Sequence, residues 1–341
     1  MLNHSEEDEM LPINVEIVKM EVENGRAEME LALPACLEAK EKGSFELYLW
    51  EAGALSVRQG TQMQFSGNSM VSLHPVFCSI YPAGEDDNCA IKIAQPHLWE
   101  GTDKPYLYHL EIYWVSSSGS VESGNKRITR ELVCDRFIAI RTVNYIPGKG
   151  YFLNGHSFLP RCIYYDRISN ISSGGEQIFW EGIMQKLRIL AQMGANTLIL
   201  GSGEGMSAEE RISLQKYCDR VGMLLRIGEG YSKSDDCVAG VLLFESPGLP
   251  TDVYYRYRSM WSKEPFVYIS AKSLHRQADG RYALTVYTSC KKVTLMVNDK
   301  VFGVCEGTGE LIFPDISLKG FPVNITARTE EHSMTVRCYR I

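Results

Sequence analysis

Apolar and polar positions alternate with period two over most of the first 140 residues. Val15-Glu16-Ile17-Val18-Lys19-Met20-Glu21-Val22 reads as a strand, as does Ala27-Glu28-Met29-Glu30-Leu31-Ala32-Leu33. Phe45–Trp50 and Tyr106–Trp114 continue the pattern between polar or glycine-bearing turns. Short alternating strands at this spacing predict a β-sandwich over residues 12–145, behind an acidic tail at 1–11.

The period changes beyond residue 146. Asn154-Gly155 predicts a tight hairpin turn. Phe179, Ile183, Leu187 and Leu190 fall on one helical face, with Gly194 closing the helix. Thr197–Leu200 predicts a short buried strand. Ser207 and Glu210 have capping-box spacing, opening a helix expected to turn Ile212, Cys218 and Val221 inward. Met223–Ile227 predicts a further strand. This β-α-β-α-β order over 146–250 is the grammar of a parallel sheet. Strand patterns return over 251–341, at Phe266–Ile269, Tyr282–Thr288, Val293–Val297, Leu311–Phe313, Val323–Arg328 and Met334–Tyr339. They predict a second sandwich, and the chain as a whole reads as multidomain α+β.

Composition narrows the classes of function. The chain has 341 residues, enough for about two or three domains. Its net charge of −7 and lack of any basic run argue against nucleic acid or an anionic membrane as partner. The first residues are acidic and lack the basic-then-apolar order of a signal peptide. No apolar run approaches the roughly 20 residues that span a bilayer. A cytoplasmic protein is therefore expected. None of the ten cysteines forms a C-x-x-C pair, so free thiols are expected and no metal site. The histidines, His156 and His275 among them, show no ligand spacing. Gly201-Ser202-Gly203-Glu204-Gly205 follows a strand as a phosphate loop would, yet it lacks a third spaced glycine and sets a glutamate in the anion's way. No cofactor is expected.

Several motifs, in this order, resemble family 2 of the glycoside hydrolases, the β-galactosidase and β-glucuronidase group. Leu98-Trp99 with Pro105-Tyr106-Leu107-Tyr108-His109-Leu110 resembles the signature of that family's immunoglobulin-like domain. Ile138-Ala139-Ile140-Arg141 resembles the strand leaving it, and Gly150-Tyr151-Phe152-Leu153-Asn154-Gly155 the approach to the catalytic barrel. Met193-Gly194-Ala195-Asn196-Thr197-Leu198 and Tyr217-Cys218-Asp219-Arg220-Val221-Gly222 resemble segments leading into the second and third barrel strands. Val241–Tyr255 then resembles the segment after the eighth strand. Val286–Cys290 and Val293–Lys300 resemble an immunoglobulin-like domain beyond the barrel.

The resemblance implies a jump. A closed (β/α)8 barrel takes about 250 residues, and Asn154 to Pro250 supplies under half of that. The expected architecture is an immunoglobulin-like β-sandwich, a truncated TIM-barrel remnant over 146–250, and a C-terminal immunoglobulin-like β-sandwich. The family's retaining chemistry uses two carboxylates about 5–5.5 Å apart. They follow the fourth and seventh strands, with the acid/base in an Asn-Glu pair. The 146–250 segment has no Asn-Glu, and neither carboxylate carries over to a residue here. The family's R-G-x-x-x-H has become Arg161-Cys162-Ile163-Tyr164-Tyr165-Asp166.

Asp166 and Glu229, at predicted strand ends, are the candidates for relocated carboxylates; Tyr165 and Tyr231 are the candidates for stacking on a sugar. Trp99 and Trp114 are expected in the first core. Tyr254, Tyr255, Tyr257 and Trp261 are expected to pack at the joint between the last two domains. Two functions follow: a catalytically silent binding or assembly protein, taking carbohydrate or a second copy of itself as partner, or a small glycosidase with moved carboxylates.

Overall fold

The computed structural model describes residues 15–33, 43–51, 74–82, 88–118, 127–172, 180–201, 206–228, 237–245 and 248–339. It divides into two compact units, Met1–Leu159 and Pro160–Ile341.

The first unit is built of strands. β1 (Glu16–Glu23), β2 (Arg26–Ala32), β3 (Gly43–Glu51), β4 (Phe77–Pro82), β5 (Asn88–Ala94), β6 (Tyr108–Ser118) and β7 (Arg127–Ile138) form two antiparallel sheets, ordered β1-β2-β5 and β4-β3-β6-β7. Alternation sends Ala27, Met29 and Leu31 of β2 and Ile91 of β5 into one core with Phe45, Leu47, Leu49, Leu110 and Ile112 of the other sheet. Trp99 and Trp114 are buried, as the sequence led us to expect. β8 (Val143–Ile146), β9 (Gly150–Leu153) and β10 (His156–Phe158) form a small meander. Its hairpin turns at Asn154 and Gly155, both at positive φ (52° and 80°), as a type I′ turn requires.

Three motifs of this unit meet at Trp99. Its N–H donates to the Ile140 carbonyl at 2.9 Å. The Asn154 amide donates to the Trp99 carbonyl at 2.9 Å, while its oxygen accepts from the Thr142 N–H at 2.9 Å. The Arg141 guanidinium lies 4.3 Å above the indole. These signature residues hold one chain crossing together, which gives them a structural role.

The second unit opens with a parallel sheet. β11 (Cys162–Tyr165), β12 (Thr197–Leu200), β13 (Leu224–Ile227) and β14 (Cys237–Ala239) pair in the order β13-β12-β11-β14, parallel throughout. α1 (Ser169–Ser172), α2 (Trp180–Met193) and α3 (Ala208–Val221) connect the first three strands. Ile183, Leu187, Leu190 and Met193 of α2 bury against Ile163, Tyr165, Leu198, Leu200 and Val238. Phe179 lies outside the described residues. The expected capping box opens α3: the Ser207 hydroxyl accepts from the Glu210 N–H at 3.1 Å, and the Glu210 carboxylate accepts from the Ser207 N–H at 2.8 Å. The inward face of α3 carries Leu214, Cys218 and Asp219, and Val221 packs on the same core, so of the three expected residues only Ile212 departs. Ile212 is exposed and Val221 half-buried. Ile212 and Cys218 are six residues apart, about 240° around a helix, so they cannot share a face.

Beyond β15 (Phe244–Glu245) and β16 (Leu249–Pro250) lies α4 (Asp252–Trp261). The sequence reading assigns this segment to the second sandwich and gives it no element of its own; it is a helix. Thr251 caps it, accepting from the Tyr254 N–H at 3.4 Å, and Tyr254, Tyr257 and Trp261 then recur at helical spacing. β17 (Val267–Arg276), β18 (Tyr282–Thr288), β19 (Lys292–Val297), β20 (Lys300–Glu306), β21 (Gly309–Ile316), β22 (Val323–Arg328) and β23 (Ser333–Cys338) complete the unit as two sheets, β17-β18-β21 and β20-β19-β22-β23. They enclose Ile269, Leu284, Val286, Val293, Leu295, Phe313 and Ile325. No helix among the described residues is long and apolar enough to cross a membrane.

Candidate functional site

In α/β sheets chemistry gathers at the carboxyl ends of the strands. Here those ends lead into Asp166, Gly201, Gly228 and Gly240. Asp166 is exposed, and its carboxylate accepts a hydrogen bond of 2.7 Å from the Tyr164 hydroxyl. That bond raises the phenol's pKa. The Tyr164 hydroxyl also lies so close over Gly201 that a Cβ there would overlap it. Gly201 closes the turn after β12, its N–H donating to the Tyr165 carbonyl at 2.9 Å. Glu229 and Tyr231 lie outside the described residues. So the structure gives one carboxylate at this rim with a described partner, and that partner is a tyrosine.

Tyr165 does not serve as a sugar platform. It is 1% exposed, with its ring in the core between sheet and helices. The ring fills the space a side chain at Gly240 would need. The alternation that turns Ile163 inward turns Tyr165 inward too. Its hydroxyl is buried with no hydrogen-bond partner among the described residues, and burial raises its pKa. An unsatisfied buried hydroxyl is destabilising by about 1–3 kcal/mol. Tyr165→Phe should therefore raise the stability of the second unit by about 1 kcal/mol, seen as a higher midpoint in thermal unfolding. An unchanged or lower midpoint would show that the hydroxyl is satisfied.

At the opposite, amino-terminal rim the motif residues are knitted into the backbone. The Asn196 side chain accepts from the Arg161 N–H at 2.7 Å and from the Thr197 hydroxyl at 3.0 Å. The Arg161 guanidinium donates to the Trp261 carbonyl at 2.6 Å and to the Gly194 carbonyl at 3.4 Å. Those carbonyls end α4 and follow α2, where a cation complements the helix dipole. Arg161 and Asn196 thus act as fasteners between elements. Sequence reasoning gave neither this role; the signal was their adjacency to predicted strand starts, since this rim of such sheets reads as stability.

Among the described residues no group of three or more His, Cys, Asp or Glu side chains could hold a metal ion. Cys78, Cys89, Cys134, Cys290, Cys305 and Cys338 are free thiols.

No protein-family model matches the chain. A stretch of 65 residues is 40% identical to a Formosa agariphila protein provisionally named a β-glucuronidase; the match covers 18% of this chain and 8% of that relative. Among solved structures, an FMN-binding β-glucuronidase from Facaelibacterium prausnitzii L2-6 superposes with a TM-score of 0.66 at 12% identity, over 96% of this chain and 73% of that one. A β-glycosidase from Bacteroides vulgatus also gives 0.66 at 12% identity, over 96% and 65%. A family 2 glycosyl hydrolase from Bacteroides cellulosilyticus DSM 14838 gives 0.58 at 14% identity, over 96% and 64%. At these identities the likeness is one of fold. The chain is similar to family 2 glycoside hydrolases and spans about two-thirds of the length of the latter two.

Proposed function

We propose that β14, β11, β12 and β13 are the eighth, first, second and third strands of a glycosidase barrel whose middle four are absent, and that the protein is catalytically silent. The order of the sheet carries this reading. In a closed barrel the last strand lies beside the first, parallel to it. Here β14, last of the four in the chain, pairs in parallel with β11, first of the four, while β12 and β13 follow on the other side. A jump from third strand to eighth reproduces that order. It also removes the strands after which the family keeps its acid/base and nucleophile.

On this reading the chain is a glycoside hydrolase-like protein of carbohydrate metabolism that acts in the cytoplasm as a binding or assembly module. Its partners are carbohydrate or a second copy of the chain, the latter favoured by the outer position of β13 and β14 in an open sheet. The test is a panel of aryl β-glucuronides and β-galactosides. No turnover above background is expected, and Asp166→Asn should change nothing. Turnover that disappears in Asp166→Asn or Glu229→Gln would replace this reading with that of a small glycosidase whose carboxylates have moved.

A further inference from the structure

Cys162 of β11 and Cys237 of β14 are register partners in adjacent parallel strands. Register partners project from the same face of a sheet. The next residue of each strand, Ile163 and Val238, points into the core shared with the helices, so both thiols project from the other face. Cys162 is 2% exposed and Cys237 partly exposed. No other two of the nine described cysteines are register partners. Neighbouring strands lie about 4.8 Å apart, inside the Cα separation of about 4.4–6.8 Å that a disulfide bridges. Cβ atoms must close to about 3.8 Å; β14 is three residues long and lies at the edge of the sheet, paired on one side to β11.

We propose that Cys162 and Cys237 are a modification site: a cross-strand dithiol that a small disulfide such as glutathione disulfide oxidises to an intramolecular disulfide tying β11 to β14. The accessible Cys237 thiolate attacks one sulfur of the oxidant, forming a mixed disulfide and releasing one glutathione thiol. The Cys162 thiolate then attacks the Cys237 sulfur and displaces the second glutathione. Two thiols are oxidised, one disulfide is reduced, and the two protons leave on two glutathione molecules. Burial holds the Cys89 and Cys134 thiols up at about 12 and about 11, so these two serve as unreactive internal references.

The experiment treats the native full chain with glutathione disulfide, blocks remaining thiols with an alkylating agent, and reads intact mass and peptide map. The expected result is loss of two hydrogens, a peptide joining Cys162 to Cys237, and reversal by dithiothreitol. In Cys162→Ser a stable glutathione adduct should remain on Cys237. A stable adduct on Cys237 of the unaltered chain, both thiols recovered alkylated, or a bridge between other cysteines would overturn the proposal. The peptide map of the unaltered chain decides the matter even where the variant does not fold.

Discussion

Gly194→Ala is expected to destabilise the second unit by about 3–5 kcal/mol. Gly194 follows α2 at φ 97°, where a side chain is strained, and a Cβ there would overlap the backbone carbonyl of Trp261 at the end of α4. Left-handed strain accounts for about 1–3 kcal/mol. Overpacking accounts for roughly as much again, and no rotamer change relieves it because the obstructing atoms are main chain. The same carbonyl accepts from Arg161 at 2.6 Å, so displacing it also loosens the fastener at the foot of the sheet. Against a domain stability of about 5–15 kcal/mol, the thermal midpoint should fall by roughly 10 °C. Gly303→Ala is the control. A Cβ there meets nothing within 4 Å and the backbone is not left-handed; its effect should stay within about 0.5 kcal/mol. Equal midpoints for the two variants would show that Gly194 is not a required close approach.

The strands and helices with a clean period were legible in the sequence. β2 alternates because one face lies in a core and the other toward water, β3 because Phe45, Leu47 and Leu49 share a core face, and the capping box at Ser207 and Glu210 has a local cause. What failed to be legible depends on contacts distant in sequence. α4 is rich in tyrosine, a residue that favours strands, and its helical state is fixed by Thr251 and by aromatics that find partners on both sides. Tyr165 stands at the end of a strand, where a rim residue is expected, whereas its ring is claimed by the core and fills the space left by Gly240. Arg161 and Asn196 stand in segments that resemble family motifs, but the bonds of Arg161 to Gly194 and Trp261 require the chain to bring residue 261 back to the start of the sheet.

Ending the second unit at Pro250 is expected to abolish its cooperative fold, because α4 belongs to two cores at once. Toward the parallel sheet, Tyr254 is 2% exposed and its hydroxyl donates to the Ile189 carbonyl of α2 at 3.3 Å. Val253, Tyr257 and Trp261 pack on the same cluster. Toward the C-terminal sandwich, Tyr255 stacks on Tyr268 of β17 with ring centroids 3.5 Å apart and planes 6° apart. The Ser270 hydroxyl donates to the Asp252 carboxylate at 2.6 Å. Burial of Tyr254 contributes about 2–3 kcal/mol and the partly buried Tyr255, Tyr257 and Trp261 add to it, so losing all four removes an amount comparable to the whole net stability. A chain of residues 160–250 should be insoluble or should show helical circular dichroism without a sharp melt or fixed near-ultraviolet signal. Residues 160–341 should melt in one transition, with tryptophan fluorescence and far-ultraviolet signal changing together. A soluble 160–250 fragment with its own sharp transition would mean that the parallel sheet stands without α4. The sandwich after it would then be an appendage, and no longer the support that lets an open sheet of four strands persist.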